Sequence, residues 1–309
     1  MAVFIAWLRK KRYLCVLNCA QHSMRRVYLI CFSALLLLVS CGEYQALQKS
    51  TDYEYRYEAA KAYFMEGKYG KASNLFGDLL AIMKGTAWGE ESLYMLAMSE
   101  YCNKEYETAG NYFKKYYQTY PKGTYVEQAH YYSGMSLYKQ TPDPRLDQTS
   151  TINAMGEIQT FLDLYPRTKI KNQCQDMIFA LQDKLVEKEC LSAQLYYDLG
   201  SYVMNSSYGG SNYEACVVTA QNALRDYPYA AHDKRERLSI LILRAKYHLA
   251  VESVEEKRVQ RFRDTIDEYY AFENDYPESP YMKEAKEMFD KAEKIVKRKH
   301  IDIENTEKQ

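Results

Sequence analysis

The sequence predicts an all-α chain of stacked helix pairs, and three observations carry that expectation. The segment Tyr69-Gly70-Lys71-Ala72-Ser73-Asn74-Leu75-Phe76 recurs 37 residues later as Tyr106-Glu107-Thr108-Ala109-Gly110-Asn111-Tyr112-Phe113, keeping the Tyr, Ala and Phe positions. A fixed period of this size marks a solenoid of repeated supersecondary units. Tyr-Pro dipeptides stand at Tyr120-Pro121, Tyr165-Pro166, Tyr227-Pro228 and Tyr276-Pro277; proline cannot continue a helix and pushes the residue before it out of the α region, so each dipeptide marks a helix end. Between these stops the apolar residues fall at helical spacing, with no sustained alternation of period two.

The first element is a leader. Residues 1–40 hold six basic side chains (Arg9, Lys10, Lys11, Arg12, Arg25, Arg26) and no acid, which leaves 35 bases against 41 acids in the rest of the chain. Met24-Arg25-Arg26 precedes thirteen residues, Val27 to Val39, that are apolar except for Ser33, and then Ser40-Cys41-Gly42. This is the order of a charged region, a hydrophobic region and a cleavage site in a secretory signal peptide. The apolar run is shorter than the roughly 20 residues a spanning helix needs. Leu38-Val39-Ser40-Cys41 resembles the lipobox of bacterial lipoproteins, which implies that Cys41 carries the lipid, palmitate included, and that cleavage falls just before it. Several acyl chains on one residue hold a protein durably, each buried methylene adding about 0.8 kcal/mol. Gly42 rather than an acid after the anchor implies release to the outer membrane, with the body facing the periplasm. Met24 begins a complete signal peptide, so residues 1–23 are expected to lie outside the translated chain. Residues 41–52 then read as a lipid-anchored linker.

The first repeat covers about 53–89 and the second about 90–126. The third begins near Glu127 with Tyr131-Tyr132-Ser133-Gly134 and is split by an insertion from Thr141 to Thr151 that contains Pro142 and Pro144. A long helix from Lys169 to about Cys190 is expected next, before a fourth repeat that opens with Leu195-Tyr196-Tyr197-Asp198-Leu199-Gly200 and resumes at Tyr213-Glu214-Ala215-Cys216 after Gly209-Gly210. The fifth runs from about Leu238 to Pro277 and is the most degenerate, as terminal repeats often are. An amphipathic helix from Tyr281 to His300 closes the stack, and 301–309 are expected as a flexible tail. Small and aromatic residues on the first helix, Tyr-x-x-Ala-x-x-x-Phe on the second and a closing Pro resemble the tetratricopeptide repeat. That implies a superhelix of about five helix pairs plus a C-terminal capping helix, over 53–300.

The same register selects candidate binding residues. With 53, 90 and 127 as first positions, the fifth are Tyr57, Tyr94 and Tyr131, and the twelfth are Phe64, Tyr101 and Tyr138. In the tetratricopeptide family these positions line the concave groove. Lys61, Met98 and Met135 lie between them, and Glu54, Glu91 and Gln128 edge them. Aromatic side chains supply large contact area at little conformational cost, and phenol hydroxyls can meet the backbone of an extended peptide. The same spacing also fits rings that simply pack helix against helix. The 32 tyrosines against 10 phenylalanines favour half-wet surfaces.

Other chemistry finds little footing. Beyond Cys41, the cysteines after the leader are Cys102, Cys174, Cys190 and Cys216, with no CxxC; small apolar residues on helices are the favoured reading, a disulfide pair the alternative. His130, His232, His248 and His300 sit in no metal-binding spacing, and there is no Gly-rich phosphate loop or GxSxG. No enzyme, metal or cofactor is expected. The acidic body also argues against nucleic acid, whose phosphates demand a basic patch, and Lys294, Lys297, Arg298 and Lys299 read as a solvated helix face.

Three segments are more specific: Gln182-Asp183-Lys184-Leu185-Val186-Glu187-Lys188-Glu189, then Ala193-Gln194-Leu195-Tyr196-Tyr197, then Ala223-Leu224-Arg225-Asp226-Tyr227-Pro228. With the lipobox, five repeats and the Tyr-Pro stops, they resemble the BamD family of outer-membrane assembly lipoproteins from Cys41 to about His300. The chain departs from that family at Thr141–Thr151, at Gly209-Gly210, at an extended linker Ser253–Arg263 and beyond His300. The resemblance implies a subunit of the machinery that folds and inserts β-barrel proteins. Its N-terminal repeats would bind unfolded barrel substrates, which end in aromatic residues, and residues of about 193–299 would dock the barrel-forming core subunit. A general periplasmic scaffold and a SusD-like binding lipoprotein are the alternative readings; the latter needs a large non-repeat portion that this chain lacks.

Overall fold

The computed structural model describes residues 44–202 and 211–307. The leader, Cys41 and Gly209-Gly210 lie outside the described residues. Among the described residues the regular structure is helical, in the order α1 Tyr53–Met65, α2 Tyr69–Ile82, α3 Ala87–Cys102, α4 Tyr106–Thr119, α5 Val126–Lys139, α6 Thr149–Leu164, α7 Lys171–Leu199, α8 Asn212–Asp226, α9 His232–Val251, α10 Glu255–Asp275 and α11 Met282–Glu307. These are the five expected pairs and the closing helix. The pairs belong to two compact units, one through Gly123 and one from Thr124; the first holds α1–α4 and the second α5–α11.

Local chemistry sets the helix ends. Asp52 caps α1 by accepting from the Tyr55 N–H at 3.0 Å, and Thr86 caps α3 by accepting from the Gly89 N–H at 3.1 Å. The four tyrosines before proline share one non-helical backbone state, with φ between −137° and −124° and ψ between 57° and 67°, just past α4, α6, α8 and α10. Each still donates its N–H to the carbonyl four residues back, so the last turn closes before proline ends the helix.

In the first unit the 37-residue period is visible in the backbone itself. Gly67 (φ 75°) and Lys104 (φ 67°) occupy equivalent left-handed positions. The hydrogen bonds from Lys68 N to Tyr63 O and from Glu105 N to Glu100 O close equivalent helix ends. The core repeats likewise: Ala72 and Ala109, and Phe76 and Phe113, are all fully buried. The small residue on each second helix lets its partner helix approach, and the Phe one turn on fills the gap.

In the second unit, Gly134 on α5 is a contact requirement, since a Cβ there would lie 3.0 Å from Cγ1 of Ile158 on α6. The two helices are joined by residues 140–148, a shorter connection than the expected Thr141–Thr151 insertion because α6 already starts at Thr149. Buried Gln148 holds that loop in shape: its amide donates to the carbonyls of Asp143 (2.8 Å) and Leu146 (3.0 Å), and its oxygen accepts from the Thr151 hydroxyl (2.7 Å).

Several expected boundaries are corrected. The break after Cys190 is absent: α7 is one 29-residue helix that contains both the expected long helix and the opening of the fourth repeat. Its apolar stripe runs on without Gly or Pro, and the helix serves two cores. Cys174, Met177 and Leu181 join Ala154, Ile158 and Phe161 of α6, while Val186, Cys190 and Ala193 join Cys216 and Ala220 of α8 and Leu238, Leu241 and Ile242 of α9. The extended linker Ser253–Arg263 is mostly the first turns of α10, which begins at Glu255. The closing helix continues to Glu307, through residues expected as tail that contain no helix breaker. Within the stretch 41–52, expected as a linker, residues 44–48 form a helical turn whose Leu47 is buried in the core of the first pair.

Candidate functional site

The six register-selected rings all lie on first helices, and the structure seats each against aromatic or apolar side chains of its own unit. Tyr57 on α1 is 3% exposed, edge-on to Phe76 (6.1 Å) and stacked on Trp88 (6.2 Å, 24° between planes). Its ring is core, which corrects the expectation of a groove-facing side chain at that position: the neighbouring helix closes over it. Phe64 is half-buried, edge-on to Tyr69 at 5.4 Å. On α3, half-buried Tyr94 meets the rings of Phe113 (5.9 Å) and Tyr116 (5.7 Å), and half-buried Tyr101 meets Tyr106 (5.3 Å) and Phe113 (6.4 Å). These edge-to-face pairs put the electropositive ring edge on the partner's electronegative face.

The second unit repeats the arrangement on α5. Tyr131 is half-buried, tilted on Phe161 at 5.8 Å, and its hydroxyl accepts from the Gln173 amide at 2.8 Å. Tyr138 packs half-buried on the core built around Ile158 and Phe161. Every one of these rings packs against a neighbouring helix, and five of the six are half-buried.

Charged and polar groups frame these rings. Lys61 lies 5.1 Å from the centroid of Tyr57 and within 3.8 Å of Glu91, tying α1 to α3. The Tyr116 hydroxyl donates to Glu90 at 2.7 Å, and Ser73 donates to Glu100. Beside Tyr131 opens a cavity of about 610 Å³, lined by Glu127, Gln128, Leu164, Tyr165 and Lys169 among others. In the first unit, Trp88 is 44% exposed and stacked on Tyr57. The repeat register passes over it because it lies two residues before the second repeat's first position. Exposed Phe179 and Tyr229, which border a further cavity of about 450 Å³ in the second unit, are likewise outside the register.

Burial pushes the Cys190 thiol up to about 11 and the Cys216 thiol up to about 12, which keeps both protonated at neutral pH. Cys102 and Cys174 are also raised by burial, and all four thiols are unbridged. Among the described residues no three His, Cys, Asp or Glu side chains are grouped to hold a metal ion, and no helix is long and apolar enough to cross a membrane.

Comparison with known proteins adds a family. The model of the YfiO family, described as an outer membrane lipoprotein, matches residues 49–207, which take in α1 through α7. A putative outer membrane protein assembly factor BamD of Aquifex aeolicus (strain VF5) is 25% identical over 168 residues, 54% of this chain and 55% of that protein. The outer membrane protein assembly factor BamD of Caulobacter vibrioides is 22% identical over 134 residues (43% and 44%), and that of Rickettsia prowazekii 24% over 129 residues (42% and 51%). The chain therefore spans about half the length of the curated relatives it matches.

Proposed function

The chain belongs to the YfiO family of outer membrane lipoproteins, and from that premise we propose that it is a subunit of the machinery that assembles β-barrel proteins into the outer membrane. Cys41 carries the lipid, and the helical body works in the periplasm as a binding protein rather than an enzyme. The supporting relatives are those named as outer membrane protein assembly factors.

In this reading the rings of Phe64, Tyr94 and Tyr101 in the first unit, with Tyr131 and Tyr138 in the second, receive extended, aromatic-ended segments of unfolded barrel proteins. Tyr57 acts from behind, holding Trp88 and α1 in place. The observation that carries this assignment is the half-buried state of those five rings. Each is fixed by an aromatic or core neighbour, so little rotamer freedom is lost on binding, yet each keeps an exposed edge. Residues of about 193–299 dock the barrel-forming core subunit.

Affinity purification of the tagged, lipidated protein from detergent-solubilised membranes, with mass spectrometry of its companions, tests the main proposal. Recovery of an outer-membrane β-barrel protein with periplasmic repeat domains is the expected result. Recovery only of transport or division components would overturn it. For the rings, Tyr94→Ala with Tyr131→Ala should weaken binding of substrate C-terminal peptides at least tenfold, about 1.4 kcal/mol, while circular dichroism shows the helices intact. Unchanged affinity in a folded double variant would remove these rings from the site.

A further inference from the structure

The helical turn over 44–48 fixes which end of the first unit lies next to the anchor. Tyr44 is three residues from Cys41, a span of at most about 10 Å when fully extended. Tyr44 is itself held: its ring is edge-on to Tyr63 at 5.7 Å, its hydroxyl donates to the Lys71 carbonyl at 3.4 Å, and the Gln48 amide donates to it at 3.2 Å. Leu47 is 7% exposed in the core of the first pair. With acyl chains on Cys41 buried in the bilayer, the Tyr44 end of α1 and α2 is confined to the headgroup zone.

That end carries a cavity of about 760 Å³ lined by Ser50, Tyr55, Tyr63, Glu66, Lys68 and Lys71 among others. The Lys71 ammonium lies 5.0 Å from the centroid of Tyr44 and 5.3 Å from that of Tyr63; Lys68 lies 5.5 Å from Tyr63. Lys68 is paired with Glu66 at 2.7 Å, whereas no carboxylate among the described residues comes within 4.0 Å of Lys71. Among the described residues, then, the Lys71 ammonium faces two rings and no carboxylate. Two side chains at this end are exposed that water alone does not favour: Tyr55, in the cavity lining, at 61%, and Met65, one residue before the lining residue Glu66, at 84%. Aromatic rings with a wet end, an exposed thioether and lysines on long stems are the side chains that settle at a bilayer interface.

We propose that this cavity is a phospholipid headgroup site, in which Lys71, supported by Lys68, receives the phosphate while Tyr55 and Met65 lie at the level of the headgroups. Two attachments at one end, the acyl chains and the cavity, orient the first unit on the membrane, where the acyl chains alone would leave it free to swing. This rests on the lipid-anchor reading of Cys41.

The test uses the full lipidated chain with Met65→Cys bearing an environment-sensitive dye, in vesicles of phosphatidylethanolamine and phosphatidylglycerol (3:1) doped with headgroup spin-labelled lipid. The unsubstituted chain serves as labelling control. Dye quenching is expected, and Lys68→Glu with Lys71→Glu should shift the docked equilibrium roughly fivefold per lysine, the equivalent of about 1 kcal/mol each at an anionic surface. Lys68→Arg with Lys71→Arg should keep it. An unquenched dye, or equal quenching in the Glu variant, overturns the proposal. Mass spectrometry of Cys41 separates the causes: an acylated but unquenched chain removes the cavity assignment alone, while an unacylated chain removes the anchor reading and this site with it. If the Glu variant loses only the binding of peptides that end in a free carboxylate, the cavity serves a protein chain instead and the proposal is wrong.

Discussion

His130 shows how much one side chain can carry in this fold. It lies on α5 with its ring 5.7 Å from that of Tyr165, the tyrosine of a Tyr-Pro stop, and burial holds its pKa below the ordinary 6.5 against the opposing pull of Glu157. A second stop repeats the pairing, His232 against Tyr276 at 5.2 Å. Because the folded-state pKa of His130 lies below the unfolded one, the unfolded chain takes up a proton in the interval below pH 6.5 that the folded chain declines. The stability present above that interval is therefore lost as the pH falls through it. Thermal denaturation should show a lower midpoint at pH 5.5 than at pH 7.5, and His130→Gln should flatten the difference; an unchanged pH slope in the variant would place the acid sensitivity elsewhere. The ring positions were legible in the sequence because a 37-residue register assigns them to one helix face. Their exposure was not, because it depends on which neighbouring ring closes over each: Trp88 covers Tyr57, while Tyr94 and Tyr101 share Phe113 and stay half-buried.

At the scale of elements, the connections between paired helices follow from backbone chemistry. Gly67 takes the left-handed turn between α1 and α2 without penalty, whereas Lys104 takes the same turn between α3 and α4 with a Cβ in place. Lys104→Gly should stabilise the protein by about 0.5–1 kcal/mol after allowance for the greater entropy of the unfolded glycine chain. Gly67→Ala should destabilise it by about 1 kcal/mol. Urea midpoints measure both, and a destabilising Lys104→Gly would refute the equivalence. The Tyr-Pro stops are legible for the same local reason, since proline acts on its own neighbours whatever the tertiary context. The continuity of α7 is not. Its stretch 191–199 resembles the opening of a repeat, but a fresh opening needs a break before it, and Cys190 and Ala193 remain in one buried stripe that α8 and α9 cover together.

For the whole molecule, that sharing decides how the docking proposal can be probed. Truncation after Pro228 removes α9, which supplies Leu238, Leu241, Ile242 and Ala245 to the core of the fourth pair, so it would unfold α7 and α8 along with any docking face. Surface substitution avoids this. Leu195 on α7 and Val218 on α8 are 58% and 52% exposed, and both lie within the span proposed to meet the core subunit. Leu195→Glu with Val218→Lys should leave the melting curve unchanged and reduce copurification of the barrel-forming subunit at least tenfold. Full recovery of that subunit would move the docking face off these helices.

The sequence by itself determined the helical class, the five pairs and closing helix, the four Tyr-Pro stops and the residues that share a first-helix face. All of these follow from short-range backbone rules or from a period that one chain displays in full. Tertiary structure alone decided where helices run on past an apparent boundary, which rings keep an exposed edge, and that the turn over 44–48 seats Tyr44 against Tyr63 and Lys71. Those features depend on burial between residues far apart in the chain, and a side chain's exposure is a property of what covers it.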